Sequence, residues 1–204
     1  MPNVFSRLIR NVRVHSPGVS SAGIKSEIFE TMVEFCFETN FWYEDITVNV
    51  VPKVQIYSLQ PNSGNIVRLI SLGDSQNNAV TCKMDSSANI TLSFIPTTAS
   101  TLSARVAKVP YISVNGYPSM PADAMTLYSG LITDGVMGRI MMQPNKPWTN
   151  LDTANIHLRR WRAGLNVVRA AVGRGNLFGA NAWVFPGGWR GRTQKFGIPS
   201  FGGV

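Results

Sequence analysis

The chain has 204 residues, of which 44% are hydrophobic and 15% charged, with a formal net charge of +8. That length predicts one domain with a real core, open to an insertion. No hydrophobic leader opens it and no run of about 18 apolar residues occurs, from which a soluble protein made in a cytoplasm is expected.

Charge is unevenly placed. Residues 1–138 carry nine Lys/Arg and ten Asp/Glu, a net of −1, whereas residues 139–204 carry ten Lys/Arg and one acid, Asp152, a net of +9. Such a gradient points the C-terminal third toward nucleic acid or an acidic protein partner. Cys36 and Cys82 match no metal or redox spacing and read as reduced core thiols.

Residues 1–21 hold Arg7, Arg10 and Arg13 with no acid, and Pro17-Gly18 breaks regular structure. This reads as a loose N-terminal arm, with Val12 and Val14 offering a short edge strand. Ser20 and Ser21 are good caps for a helix from about Ala22 to Thr39. Its apolar stripe is Ile24, Ile28, Met32 and Phe35. Glu27, Glu30, Glu34 and Glu38 form a second, acidic stripe. It is a solvated face, the mate of a basic helix, or the lining of a channel that must not hold DNA. Asn40-Phe41-Trp42-Tyr43 is an aromatic knot pinning this helix to the next segment of chain.

From Asp45 the period changes to two. Strands are expected at Ile46–Val50, Gln55–Leu59, Ile66–Leu72, Ala79–Met84, Asn89–Ile95 and Thr101–Val109, joined by short turns into an antiparallel sheet. Residues 110–121 are an extended connector.

Ala122 to Met142 has helical spacing but contains Gly130, Gly135 and Gly138, tolerable where another helix packs close. Gln143-Pro144-Asn145-Lys146-Pro147-Trp148 then forces a stop and a restart. An antiparallel helix pair is expected, with Pro144 and Pro147 shaping the corner and a buried Trp148 wedged in it, worth about 3–5 kcal/mol. The second helix of the pair is the longest. Leu151, Ala154, Leu158, Trp161, Leu165, Val168 and Val172 recur at three and four, making a rod of roughly 33 Å. Asn150 or Thr149 caps it, and Gly173 is placed to end it in a left-handed conformation. Arg159, Arg162 and Arg169 share its other face, with Arg160 and His157 beside them. That face calls for acid or phosphate.

Arg174 to Val204 has eight glycines, four basic residues and six aromatics, Phe178, Trp183, Phe185, Trp189, Phe196 and Phe201, with no acid and no period. It lacks a core of its own, and so many rings exceed what a spacer needs. The inference is an arm that orders on a partner, with Arg190 and Arg192 as its charged contacts. The fold class is thus α+β: a bundle of three main helices (22–43 and 122–173), an antiparallel insertion (44–121) and a C-terminal docking arm (174–204).

Catalytic constellations are missing from the sequence. His15 and His157 are the only histidines, no phosphate-binding loop is present, and the acids are scattered or set on one helix face. The expectation is no enzyme, no cofactor and no metal. Interleaved Arg, Gly and aromatic residues also suit a single-strand nucleic-acid binder, although Arg-Gly-Gly repeats are lacking.

The order of parts resembles the head-to-tail adaptor (connector) proteins of short-tailed, podovirus-type bacteriophages. The resemblance rests on Val33-Glu34-Phe35-Cys36 and Phe41-Trp42, on Val54-Gln55-Ile56-Tyr57-Ser58-Leu59 with Ile66-Val67-Arg68-Leu69, on Gln143 to Asn150 between two helices, and on Trp183-Val184-Phe185-Pro186. It covers about residues 20–204, and the Lys-Pro-Trp corner is its most specific part. It implies a structural virion protein: a homo-oligomeric ring of twelve copies at the head–tail junction, assembled in the host bacterial cytoplasm. The C-terminal arm would thread along the portal protein, and the ring would offer a platform to the tail nozzle or tail tube. Double-stranded DNA would pass through the channel without sequence recognition. The acidic and basic helix faces would then meet across a subunit boundary or line the channel. The alternatives are a tail-tube or tail-completion protein, whose contacts would favour the sheet, and a basic nucleic-acid-binding protein.

Overall fold

A computed structural model describes residues 4–76, 78–112, 118–119 and 122–174, and it is α+β. The chain opens on a helix, α1 (Val4–His15), where the sequence suggested a loose arm and an edge strand. Leu8 and Val12 explain the difference. Four residues apart, they share one helical face and are buried, while Arg7, Arg10 and Arg13 point to solvent and need no acid. Ser16 extends the contact, its Oγ lying 3.7 Å from the Met137 sulfur.

The next helix, α2 (Ser21–Thr39), starts at the expected cap: Ser20 Oγ accepts from Gly23 N–H at 3.1 Å. Arg13 donates to Ser21 Oγ, tying α1 to this start. Asn40 ends α2 with φ 53°, its N–H bonded to the Cys36 carbonyl. The aromatic knot then closes on the bundle. Phe41 lies 5.7 Å from Phe35 and 5.3 Å from Tyr128, ring centre to ring centre.

The insertion holds β1 (Tyr43–Val50), β2 (Ile56–Ser58), β3 (Asn65–Asp74), β4 (Cys82–Met84), β5 (Asn89–Leu92) and β6 (Ser100–Val109). They form two antiparallel three-stranded sheets, ordered β1-β6-β3 and β2-β5-β4. A single sheet of sequential neighbours was the simpler expectation. Instead the last strand, β6, lies between the first and the third, with Tyr43 opposite Ala107 and Val50 opposite Ser100. Residues of both sheets, Val48, Val50, Leu59, Leu72, Ile90, Leu92, Leu102, Ala104 and Val106, make one apolar cluster. The connector contributes a short pair, β7 (Tyr111–Ile112) with β8 (Pro118–Ser119).

The stretch expected as one helix is two, α3 (Ala122–Leu127) and α4 (Ser129–Met141). The break falls at Tyr128, whose ring is held between Phe35 and Phe41. After the corner, α5 (Leu151–Gly173) starts on Asn150, whose Oδ1 accepts from Thr153 N–H at 3.0 Å. Ala154, Trp161, Leu165 and Val168 are buried as their spacing requires, but Leu151 is exposed. Gly173 stays helical rather than left-handed, and Arg174 caps the end through its N–H.

The main core lies among α1, α2, α4 and α5. Gly135 and Gly138 permit it. A Cβ on Gly135 would come within 2.6 Å of Thr31 Cγ2 and 2.9 Å of the Trp161 ring, and one on Gly138 within 2.7 Å of Leu158. A Cβ on Gly130 would meet no described atom within 4 Å. Val109, at the end of β6, belongs to this core, so that strand joins it to the β cluster.

Candidate protein-interaction surfaces

Three regions come from the sequence: the acidic stripe of α2, the basic face of α5 and the corner between α4 and α5. The structure joins parts of all three within one chain. Arg139 of α4 pairs with Glu34, and Arg169 of α5 pairs with Glu38 through both its side chain and its carbonyl. Glu27 accepts from Gln143 Nε2 at 3.2 Å, and Glu30 is exposed. Of the stripe, only Glu30 stands clear. The Glu38–Arg169 pair is half-exposed and contributes at most about 1 kcal/mol.

The α5 arginines therefore divide. Arg169 faces α2, whereas Arg159, Arg160 and Arg162 are exposed and have no ion pair or hydrogen bond among the described residues. Ile156 and Val167, 50% and 70% exposed, lie on the same outer side. His157 is not part of that face. Its Nδ1 lies 2.7 Å from Asp134 of α4, a half-buried link between the paired helices. Periodicity carries no signal for this pair, because the two residues sit on separate helices. Asp134 also borders an open hollow of about 440 Å³ between α1 and α4, with Asn11, His15 and Thr133.

The corner is a built joint. Trp148 Nε1 donates to Gln143 Oε1 at 3.3 Å, and Gln143 passes the connection to Glu27 on α2. Thr149 Oγ1 donates to the Gln143 carbonyl, and Asn150 N–H reaches the Met141 carbonyl at 3.0 Å. Pro144 and Pro147 are exposed on the outside of the bend. Trp148 is half-buried against Gly18, whose φ of 96° favours glycine, and is not sealed in the core, contrary to expectation. The tryptophan that is sealed is Trp161, 2% exposed.

Where the bundle meets the β unit, buried Lys108 and half-buried Glu44 form an ion pair at 2.8 Å, with the Lys108 ammonium 4.7 Å from the Trp42 ring centre. Burial pushes the Glu44 carboxyl up, but the hydrogen bonds from Lys108 and Asn62 and the Lys108 charge outweigh it and hold it below the ordinary value. Nearby, Arg105 holds Asp45 through two bonds of 2.7 and 2.8 Å. Arg105, Tyr43, Ile70 and Asn40 line a groove of about 340 Å³ that also takes in Arg169, Val172 and Gly173 of α5. The chain runs from this groove into residues 175–204. The arm residues Phe178, Trp183, Phe185, Trp189, Arg190, Arg192, Phe196 and Phe201 lie outside the described residues.

Among the described residues, no group of three or more His, Cys, Asp or Glu suits a metal ion, and no helix is long and apolar enough to cross a membrane. No protein-family model and no curated protein matches the chain.

Proposed function

We propose that this chain is a structural virion protein without catalytic activity, the head-to-tail adaptor of a short-tailed bacteriophage. Twelve copies form a ring under the portal at the head–tail junction, continue the DNA channel without reading its sequence, and present a platform to the tail. The corner from Gln143 to Asn150 carries the reading. It is the most specific part of the resemblance, and it is a defined joint between α4 and α5 fastened to α2. The α+β order, with a β unit inserted between α2 and α3, supports the same reading.

The C-terminal residues dock on the portal, beginning beside the groove at the end of α5. Removing residues 174–204 is expected to leave a folded, soluble body that no longer joins portal-bearing heads. Sedimentation of heads with full-length and truncated protein, followed by electron microscopy, checks this. Normal docking of the truncated chain contradicts the arm's role. The exposed Arg159, Arg160 and Arg162 favour a second reading, a basic nucleic-acid binder. A shifted labelled oligonucleotide at physiological salt, in place of rings on heads, decides for it.

A further inference from the structure

The end of the β unit away from the helices carries an apolar surface that neither core uses. Two connections meet there, one between β1 and β2 and one between β5 and β6. Lys53 N–H donates to the Pro96 carbonyl at 2.8 Å, and Leu92 N–H to the Gln55 carbonyl at 2.9 Å. The Tyr57 hydroxyl braces the first turn, accepting from Val51 N–H at 3.1 Å and donating to the Val54 carbonyl at 2.7 Å. The turns are therefore fixed by backbone and tyrosine bonds. Yet Val51, Val54, Ile56, Phe94 and Ile95 are 53%, 41%, 61%, 49% and 61% exposed. Turns facing only water are ordinarily built from polar residues, and clustered exposed apolar side chains mark contact surfaces. Lys53 is the one charged residue in the stretches 46–60 and 86–104.

We infer that this tip is a protein-docking surface whose partner offers an apolar socket with a carboxylate at its rim for Lys53. On the adaptor reading, on which this rests, that partner is the tail-side component. Three observations select it. The exposed apolar area is roughly 500 Å², less than the ~800 Å² per partner of a stable one-to-one interface. A tip of this size holds best when a ring presents many copies to one repeating partner. A two-fold contact between two tips would bury only about 1,000 Å² in total and bring Lys53 toward its own copy. Finally, β1 separates the tip from the groove beside Gly173. Its eight residues span roughly 25 Å, so one copy can hold a partner at each end.

The test compares the full chain with Phe94→Asp/Ile95→Asp and, separately, Lys53→Glu, whose backbone bonds are untouched. All three proteins are expected to join portal-bearing heads, but uptake of tail protein by those heads falls at least about tenfold in the double variant and several-fold in Lys53→Glu. Equal uptake by the parent and both variants overturns the tip while leaving the ring reading in place. A parent chain that never joins heads overturns the ring reading and the tail partner with it. Flotation of the parent with neutral phosphatidylcholine vesicles, abolished in the double variant, overturns the inference in favour of a lipid surface.

Discussion

Lys108 shows how one residue can serve two cores. Only 4% exposed, it hydrogen-bonds Glu44 and covers Trp42 at the point where β6 passes from the sheet cluster into the bundle. A lowered carboxyl stabilises the fold above its ordinary pKa, and that contribution is lost as pH falls through the folded value. Stability is therefore expected to decline below about pH 4.5. Lys108→Met removes the ion pair of half-buried Glu44 while Asn62 still donates to it, lowers stability at pH 7 by about 1–3 kcal/mol, and narrows the difference between neutral and acid pH. Urea unfolding at pH 7 and in the acid range measures both effects. Tryptophans separate at the same scale. Trp161→Ala is expected to cost about 3–5 kcal/mol, and half-buried Trp148→Ala less than that. Parallel thermal melts rank them, and a larger loss at Trp148 contradicts the ranking.

Between elements, the approach of α4 to α2 and α5 turns on glycine. Gly135→Ala places a methyl against Thr31 and the Trp161 ring, neither of which is a free chain end. It is expected to destabilise by about 1–3 kcal/mol despite the better helix former. Gly130→Ala on the same helix meets nothing and is expected to stabilise by about 0.4–1 kcal/mol. Opposite shifts in chemical-denaturation midpoint check the pair, and shifts of one sign contradict the packing. The helical spacing that announced α2, α4 and α5 was legible because each stripe is long enough to show its period. In α1 the period is faint, since two buried residues, Leu8 and Val12, among arginines and beside Pro17-Gly18 give a short signal. The strands were legible from alternation, but their neighbours were not. Alternation shows which side chains face inward and says nothing of which edge β6 joins.

At the scale of the whole molecule, the charge gradient was only partly informative. The acidic and basic stripes read from the sequence as solvated faces or as faces awaiting partners, yet Glu34 with Arg139 and Glu38 with Arg169 meet inside one chain. A stripe belongs to one helix alone, and so it hides pairs made when helices assemble. Among the described residues, the part of the two stripes left without a partner is smaller and better defined: Glu30 on α2 and Arg159, Arg160 and Arg162 on α5. The apolar tip is hidden from the sequence for a different reason. Val51, Val54, Ile56, Phe94 and Ile95 have the composition of buried strand residues, and only three-dimensional placement reveals them at the surface.

The insertion of the β unit between α2 and α3 also sets an order of assembly. As the polypeptide leaves the ribosome, α2 emerges long before α4 and α5, so Ile24, Ile28, Met32 and Phe35 have at first only α1 to pack on. Closing that gap falls to β1 finding β6, a pairing of distant segments whose loop entropy must be overcome before any contact rewards it. The neighbouring helices α4 and α5, by contrast, join through a short corner and can associate quickly. A nascent chain halted before β6 would thus display a greasy helix covered only by α1, the kind of surface that chaperones retain.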